Sequence, residues 1–170
     1  MPRPAEKEYA AFYRNYIQMA EGNDACTLLK DQLDEMKYFL EAIPHEKADF
    51  AYEKGKWSIR ILLQHIIDAE RIFTFRALWI ARGSTAPLPG YDENAFAEQS
   101  IIKLPELDAL KSELITLRRT TIHLFNSFNA ETLQRSGMAN ESMITVNALG
   151  FIIAGHFRHH QQILLDRYLA

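Results

Sequence analysis

At 170 residues the chain has the length of one domain that buries its own core, and 48% hydrophobic with 24% charged residues is a globular composition, not a disordered one. Nineteen basic against 22 acidic residues leave a formal charge of −3 with no long run of either sign, which excludes a nucleic-acid footprint, and the lone Cys26 excludes an internal disulfide and any cysteine-rich zinc or iron–sulfur site. No segment approaches roughly 18 uninterrupted apolar residues and the amino terminus lacks the apolar stretch of a signal peptide, so no membrane partner and a cytoplasmic location are expected.

From Ala5 to Glu21, Tyr9, Phe12, Tyr13, Tyr16, Ile17 and Ala20 recur at three- and four-residue steps, which predicts a first helix ended by Gly22 and Asn23. A second runs from Asp24 with Leu29, Leu33, Met36, Leu40 and Ile43 on one face until Pro44 stops it. Cys26, in its first turns, reads as a packing residue rather than a nucleophile, because no histidine is near it in sequence. The polar stretch from Pro44 to Trp57 reads as a loop with His45 solvated.

Ser58 is placed to cap a third helix reaching Arg82 and Gly83. On it Ile61, His65, Asp68, Ala69, Ile72, Phe75 and Trp79 form one stripe, so His65 is expected to point inward. An inward histidine on its own is more often a hydrogen-bonded core residue than a ligand. Residues 84–104, with Pro87, Pro89 and Gly90, keep no sustained period and read as a connection of lid or binding-loop length.

Pro105 suits the first position of a fourth helix carrying Leu107, Leu110, Leu114, Leu117, Thr121, Leu124 and Phe128, a bundle-packing seam with His123 just off it. Residues 129–142 are polar and broken. The last helix starts near Thr145 and tolerates Gly150 and Gly155, each costing roughly 1 kcal/mol against alanine, which points to a close neighbouring helix or a kink. Just beyond, His156 and His160 stand at i and i+4, on one face about 5–6 Å apart, where two imidazoles can share an ion. His65 is the only other histidine on a strongly apolar stripe, so His65, His156 and His160 are read as one metal site. His159, about 100° round the helix from His160, is expected to stay outside it.

The fold these elements predict is all-α: a four-helix bundle with an additional amino-terminal helix and long crossover-type loops, in one domain of residues 1–170. Lys56-Trp57-Ser58, the run Leu63-Gln64-His65-Ile66-Ile67-Asp68-Ala69-Glu70 and the run from His156 to Ile163 together resemble the DinB-like (YfiT-type) metalloenzyme family. The likeness spans nearly the whole chain. It implies a four-helix bundle with His65, His156 and His160 as ligands, and no role for His159.

Three neutral imidazoles at about 2.0–2.1 Å leave one tetrahedral corner open, the pattern of catalytic rather than structural zinc, and nickel is a second candidate because imidazole suits several metals. Asp68, three residues from His65, is the nearest carboxylate in sequence, a candidate to orient that ring or to act as base, or simply a partner for Arg71 or Arg76. Trp57 and Tyr91 are candidate substrate walls. The resemblance implies a metal-dependent hydrolase or, as in some members, a transferase that joins a low-molecular-weight thiol to an electrophile; a second copy of the chain, as a homodimer, is an open call. The competing reading is a non-enzymatic bundle, a binding or stress-related protein whose histidines are structural.

Overall fold

In the computed structural model, which describes residues 2–170, the chain enters through two 3-10 turns, Glu6–Glu8 and Ala11–Tyr13, and a short helix α1, Arg14–Met19. The single first helix expected from Ala5 is therefore interrupted, with Ala10 extended. Of its stripe only Tyr13, Ile17 and Ala20 are buried, while Phe12 is 56% exposed. Tertiary contacts set the path: the Arg3 guanidinium donates to the carbonyls of Ile17 and, at 2.5 Å, Ala20, closing the carboxyl end of α1.

The remaining elements are α2, Ala25–Glu41; α3, Ile59–Ala81; α4, Glu93–Ser100; α5, Leu107–Asn126; α6, Ala130–Gln134; strands β1, Ser136–Ala139, and β2, Ser142–Thr145; and α7, Val146–Ile163, which runs on through a π-helical turn at Leu164–Tyr168. The Ser58 cap read from sequence forms, its hydroxyl accepting from the Ile61 amide at 3.4 Å, and the expected helix starts at Asp24 and Thr145 also cap, accepting from Thr27 at 2.9 Å and Ala148 at 3.1 Å. Pro105 falls just before its helix, whose N-cap is Glu106.

The bundle is made by α2, α3, α5 and α7, packed in the cyclic order α2–α5–α3–α7. Consecutive α2 and α3 are thus diagonal, and residues 42–58 cross over the end of the bundle to join them. The chain is mostly helical rather than strictly all-α, because β1 and β2 form an antiparallel hairpin with Gly137 opposite Ile144. Its turn uses Asn140 and Glu141 at φ 51° and 59°, the left-handed pair of a two-residue hairpin turn, without the glycine that would have marked it. Residues 84–104 also differ from a plain connection: Leu88 bridges Ala139 in parallel, and α4 follows, capped by Asp92.

Buried stripes are shifted from the expected ones. On α5 the inward line is Leu107, Leu110, Leu114, Arg118, Thr121 and Phe125, and on α3 Phe75 is exposed while Phe73, Arg76 and Ile80 turn in. Polar side chains stand in the core line because they meet one another. Arg118, fully buried, binds Glu70 at 2.9 and 3.0 Å and Gln32 at 2.5 Å, and Gln32 donates to the Ala154 carbonyl at 3.0 Å. This layer separates two apolar cores, one around Leu29, Phe73, Phe125 and Phe151 and the other around Met36, Leu63, Leu114 and Phe157.

Both glycines of α7 are close-approach positions. A Cβ on Gly150 would meet Ala25 and Phe125 at 2.8 Å, and one on Gly155 would collide with the Tyr16 carbonyl. The second crossing lays α1 directly over the turn that carries His156.

Candidate metal centre

The Arg118 layer forms a waist between the two cores, and the histidines of α3 and α7 meet on the second core's side of it, His65 between Leu63 and Ile66 and His160 between Phe157 and Leu164. The Nε2 atoms of His65, His156 and His160 form a triangle with sides of 3.1, 3.2 and 3.1 Å. The three residues are 5%, 4% and 8% exposed. Burial, with lesser contributions from neighbouring imidazoles, lowers His65 to about 4 and His160 to about 2, and holds His156 well below its ordinary value. The rings are therefore neutral near pH 7.

These residues fit a divalent ion. Tetrahedral coordination with nitrogen at about 2.0–2.1 Å needs ligand atoms about 3.3 Å apart, close to the observed triangle. Three buried Nε2 atoms facing one another also bring lone pairs together that a single shared proton leaves partly opposed. Aromatic rings hold the set in place: Trp57 lies 4.9 Å from His65, and Tyr16 and Phe73 lie edge-on to His156 at 5.3 and 5.8 Å. His160 Nδ1 is buried with no hydrogen-bond partner among the described residues. His159 stays outside the cluster, its ring against Tyr16 at 5.4 Å. His45 and His123 are exposed.

Two cavities adjoin the triad, one at His156 and one at His160. One, of about 350 Å³, includes His156 with Tyr13, Tyr16, Phe73, Arg76 and Tyr91. The other, of about 290 Å³, includes His160 with Trp57, Tyr52, Asn94 and Tyr168. The segment after α3 folds back to reach them, tied down by Trp79 to the Ala86 carbonyl at 3.0 Å, Arg76 to that of Pro89 at 2.8 Å and the Leu88 amide to Met138 at 2.9 Å. Tyr91 and Trp57 thus line one triad cavity each.

Asp68 lies elsewhere. Its carboxylate accepts from Gln64 at 2.9 Å, faces Arg71 at 3.7 Å and lines a third cavity with Phe96 and Glu113. Burial raises its pKa against the opposing Gln64 hydrogen bond. Tyr16, Arg76 and Asn94 were not singled out from sequence. Tyr16 had its place on the apolar face of the first helix as a signal, whereas Arg76 had none, because the stripe expected on α3 ran through Phe75 rather than through Phe73 and Ile80.

A helical bundle in which three buried imidazoles converge on one point, with cavities beside them, is an arrangement that could hold a metal ion. The chain belongs to the DinB superfamily, whose sequence profile matches residues 28–164. It is 24% identical to a protein of Bacillus cereus strain B4264 named "Putative metal-dependent hydrolase" over 133 residues, 78% of this chain and 76% of that one. A Bacillus mycoides relative with the same description matches at 24% over the same shares. Among solved structures, YfiT from Bacillus subtilis, described as a probable metal-dependent hydrolase with an unusual four-helix bundle topology, superposes with a TM-score of 0.68 over 98% of this chain and 92% of its own, at 20% identity. A mycothiol-dependent maleylpyruvate isomerase superposes at 0.67 over 86% of this chain and 60% of its own, at 11% identity. At such identities the two structures speak for the fold alone. No helix among the described residues is long and apolar enough to cross a membrane.

Proposed function

We propose that the chain is a metal-dependent hydrolase of small molecules, with His65, His156 and His160 holding one divalent ion, zinc or nickel. The observation that carries this reading is the convergence of three buried Nε2 atoms where two cavities open. A divalent ion on three neutral imidazoles supplies an open Lewis-acidic position that makes a bound water or thiol acidic near neutral pH. The chain's own residues do the rest. Phe73, Tyr16 and Tyr91 wall the His156 side and Trp57 the His160 side, giving a substrate apolar surface next to the ligands. Asp68 takes no step here, because its carboxylate is turned to Gln64 and Arg71.

Transfer of a low-molecular-weight thiol to an electrophile is a second reading, and the pair of cavities favours it: hydrolysis needs room for one organic substrate, transfer for two. Elemental analysis is the first test. About one ion per chain is expected in the wild type, with loss in His65→Ala and His160→Ala and retention in His45→Ala, His123→Ala and His159→Gln. Equal binding by all variants would remove the site and favour a non-enzymatic bundle. Ester, amide and thiol–electrophile pairs offered to metal-loaded protein then separate the two reactions.

A further inference from the structure

Arg76 is 3% exposed, and no carboxylate lies within ion-pair distance of it among the described residues. Its nitrogens donate to the Tyr13 hydroxyl at 3.4 Å and to the Pro89 carbonyl at 2.8 Å. A guanidinium carries five N–H donors and keeps its charge at any physiological pH. Arg118, the other buried arginine, is matched by a bidentate carboxylate and an amide oxygen. Arg76 instead lines the cavity beside His156, so its spare donors and uncompensated charge are presented to whatever occupies that space.

We infer that this cavity binds a planar or aromatic monocarboxylate, its carboxylate on Arg76 and its body among Tyr13, Tyr16, Phe73 and Tyr91, which places the rest of the molecule beside His156. The aromatic walls select a flat body, and one guanidinium without a second cation suits a monoanion better than a phosphate dianion. Exposed Glu93, which also lines the cavity, adds a negative charge that opposes a dianion more strongly than a monoanion. The inference rests on the proposed function for its relation to a reacting centre, but the anion site depends on Arg76 and not on the ion.

The test uses benzoate, benzamide and phenyl phosphate as probes in calorimetric titrations of chelator-treated and zinc-loaded protein. Benzoate should bind at least about tenfold tighter than isosteric, neutral benzamide in both forms, and phenyl phosphate more weakly than benzoate. In Arg76→Gln the preference for benzoate should vanish while benzamide still binds as in the wild type, which a merely slackened loop would not produce. Arg76→Lys, which keeps the charge without the fork, should retain part of the preference and serves if Arg76→Gln does not fold. The inference is overturned if the wild type does not discriminate, if discrimination survives in Arg76→Gln, if phenyl phosphate wins, or if benzoate binds only when zinc is present, since the anion would then be held by the ion. Failure of the metal reading shows separately, as zinc that does not bind.

Discussion

Arg118 shows how much a single side chain in the waist is asked to hold. Its guanidinium joins Glu70 of α3 to Gln32 of α2, and Thr121 adds a 2.8 Å hydrogen bond to the same carboxylate. Removing it leaves Glu70 buried and unpaired, so Arg118→Met should cost about 3–5 kcal/mol in a denaturant titration, more than the double variant with Glu70→Gln. A double variant as damaged as the single one would show that packing, not charge pairing, sets the cost. The proposed ligands predict a pH effect of definite sign. His65 has its folded pKa lowered to about 4 from an ordinary 6.5, so unfolded chains take up its proton first as pH falls. Stability of chelator-treated protein is therefore whole above pH 6.5 and declines toward pH 4, by about 1.4 kcal/mol per pH unit for each such group. His65→Gln should make that decline shallower by one proton, as read from urea midpoints across the range.

At the scale of elements, α1 and the segment before α4 do most to shape the site, and they were the least legible. The aromatic spacing of residues 5–21 carried helical content but not the break at Ala10, because a short helix takes its path from what it packs on. Gly155 was the better clue, a glycine tolerated in a helix interior because a backbone passes there. Gly155→Ala gains helix propensity of roughly 1 kcal/mol yet forces the Tyr16 carbonyl away, so a net loss of about 1–3 kcal/mol is expected in thermal melts, with weakened burial of His156. Stabilisation would show that α1 yields easily. The hairpin was missed because Asn140-Glu141 supplies its left-handed turn without glycine. The fold-back of residues 84–92 depends on bonds from Trp79 and Arg76 that no local pattern encodes. Tyr91→Ala removes a ring from the His156 cavity while touching no ligand, so small-molecule binding should weaken with metal content unchanged. Unaltered kinetics on an identified substrate would rule out the lid.

Across the whole molecule, the three-histidine cluster could be anticipated because i, i+4 spacing on a buried helix is a local fact, whereas the order of helices round the bundle is not. Amphipathic stripes say that four helices pack, but not that α2 and α3 sit on a diagonal. That arrangement makes α3 and α7 neighbours, and so lets His65 reach the pair on α7. Two apolar cores meet at the Arg118 layer, and an ion shared by the histidines would tie α3 to α7 on the second core's side of it. Binding to folded chains alone raises stability by about 2.7 kcal/mol when free ion is a hundred times its dissociation constant. Chelation should therefore lower the melting temperature of the wild type and zinc restore it, while His160→Ala melts at one temperature with or without chelator. Hydrogen exchange locates the effect: amides of α3 and α7 around the three histidines should lose protection on chelation, and those near Leu29 and Phe125 in the other core should not. Uniform loss across both cores would mean that the ion stabilises the bundle as a single unit rather than the region around its ligands.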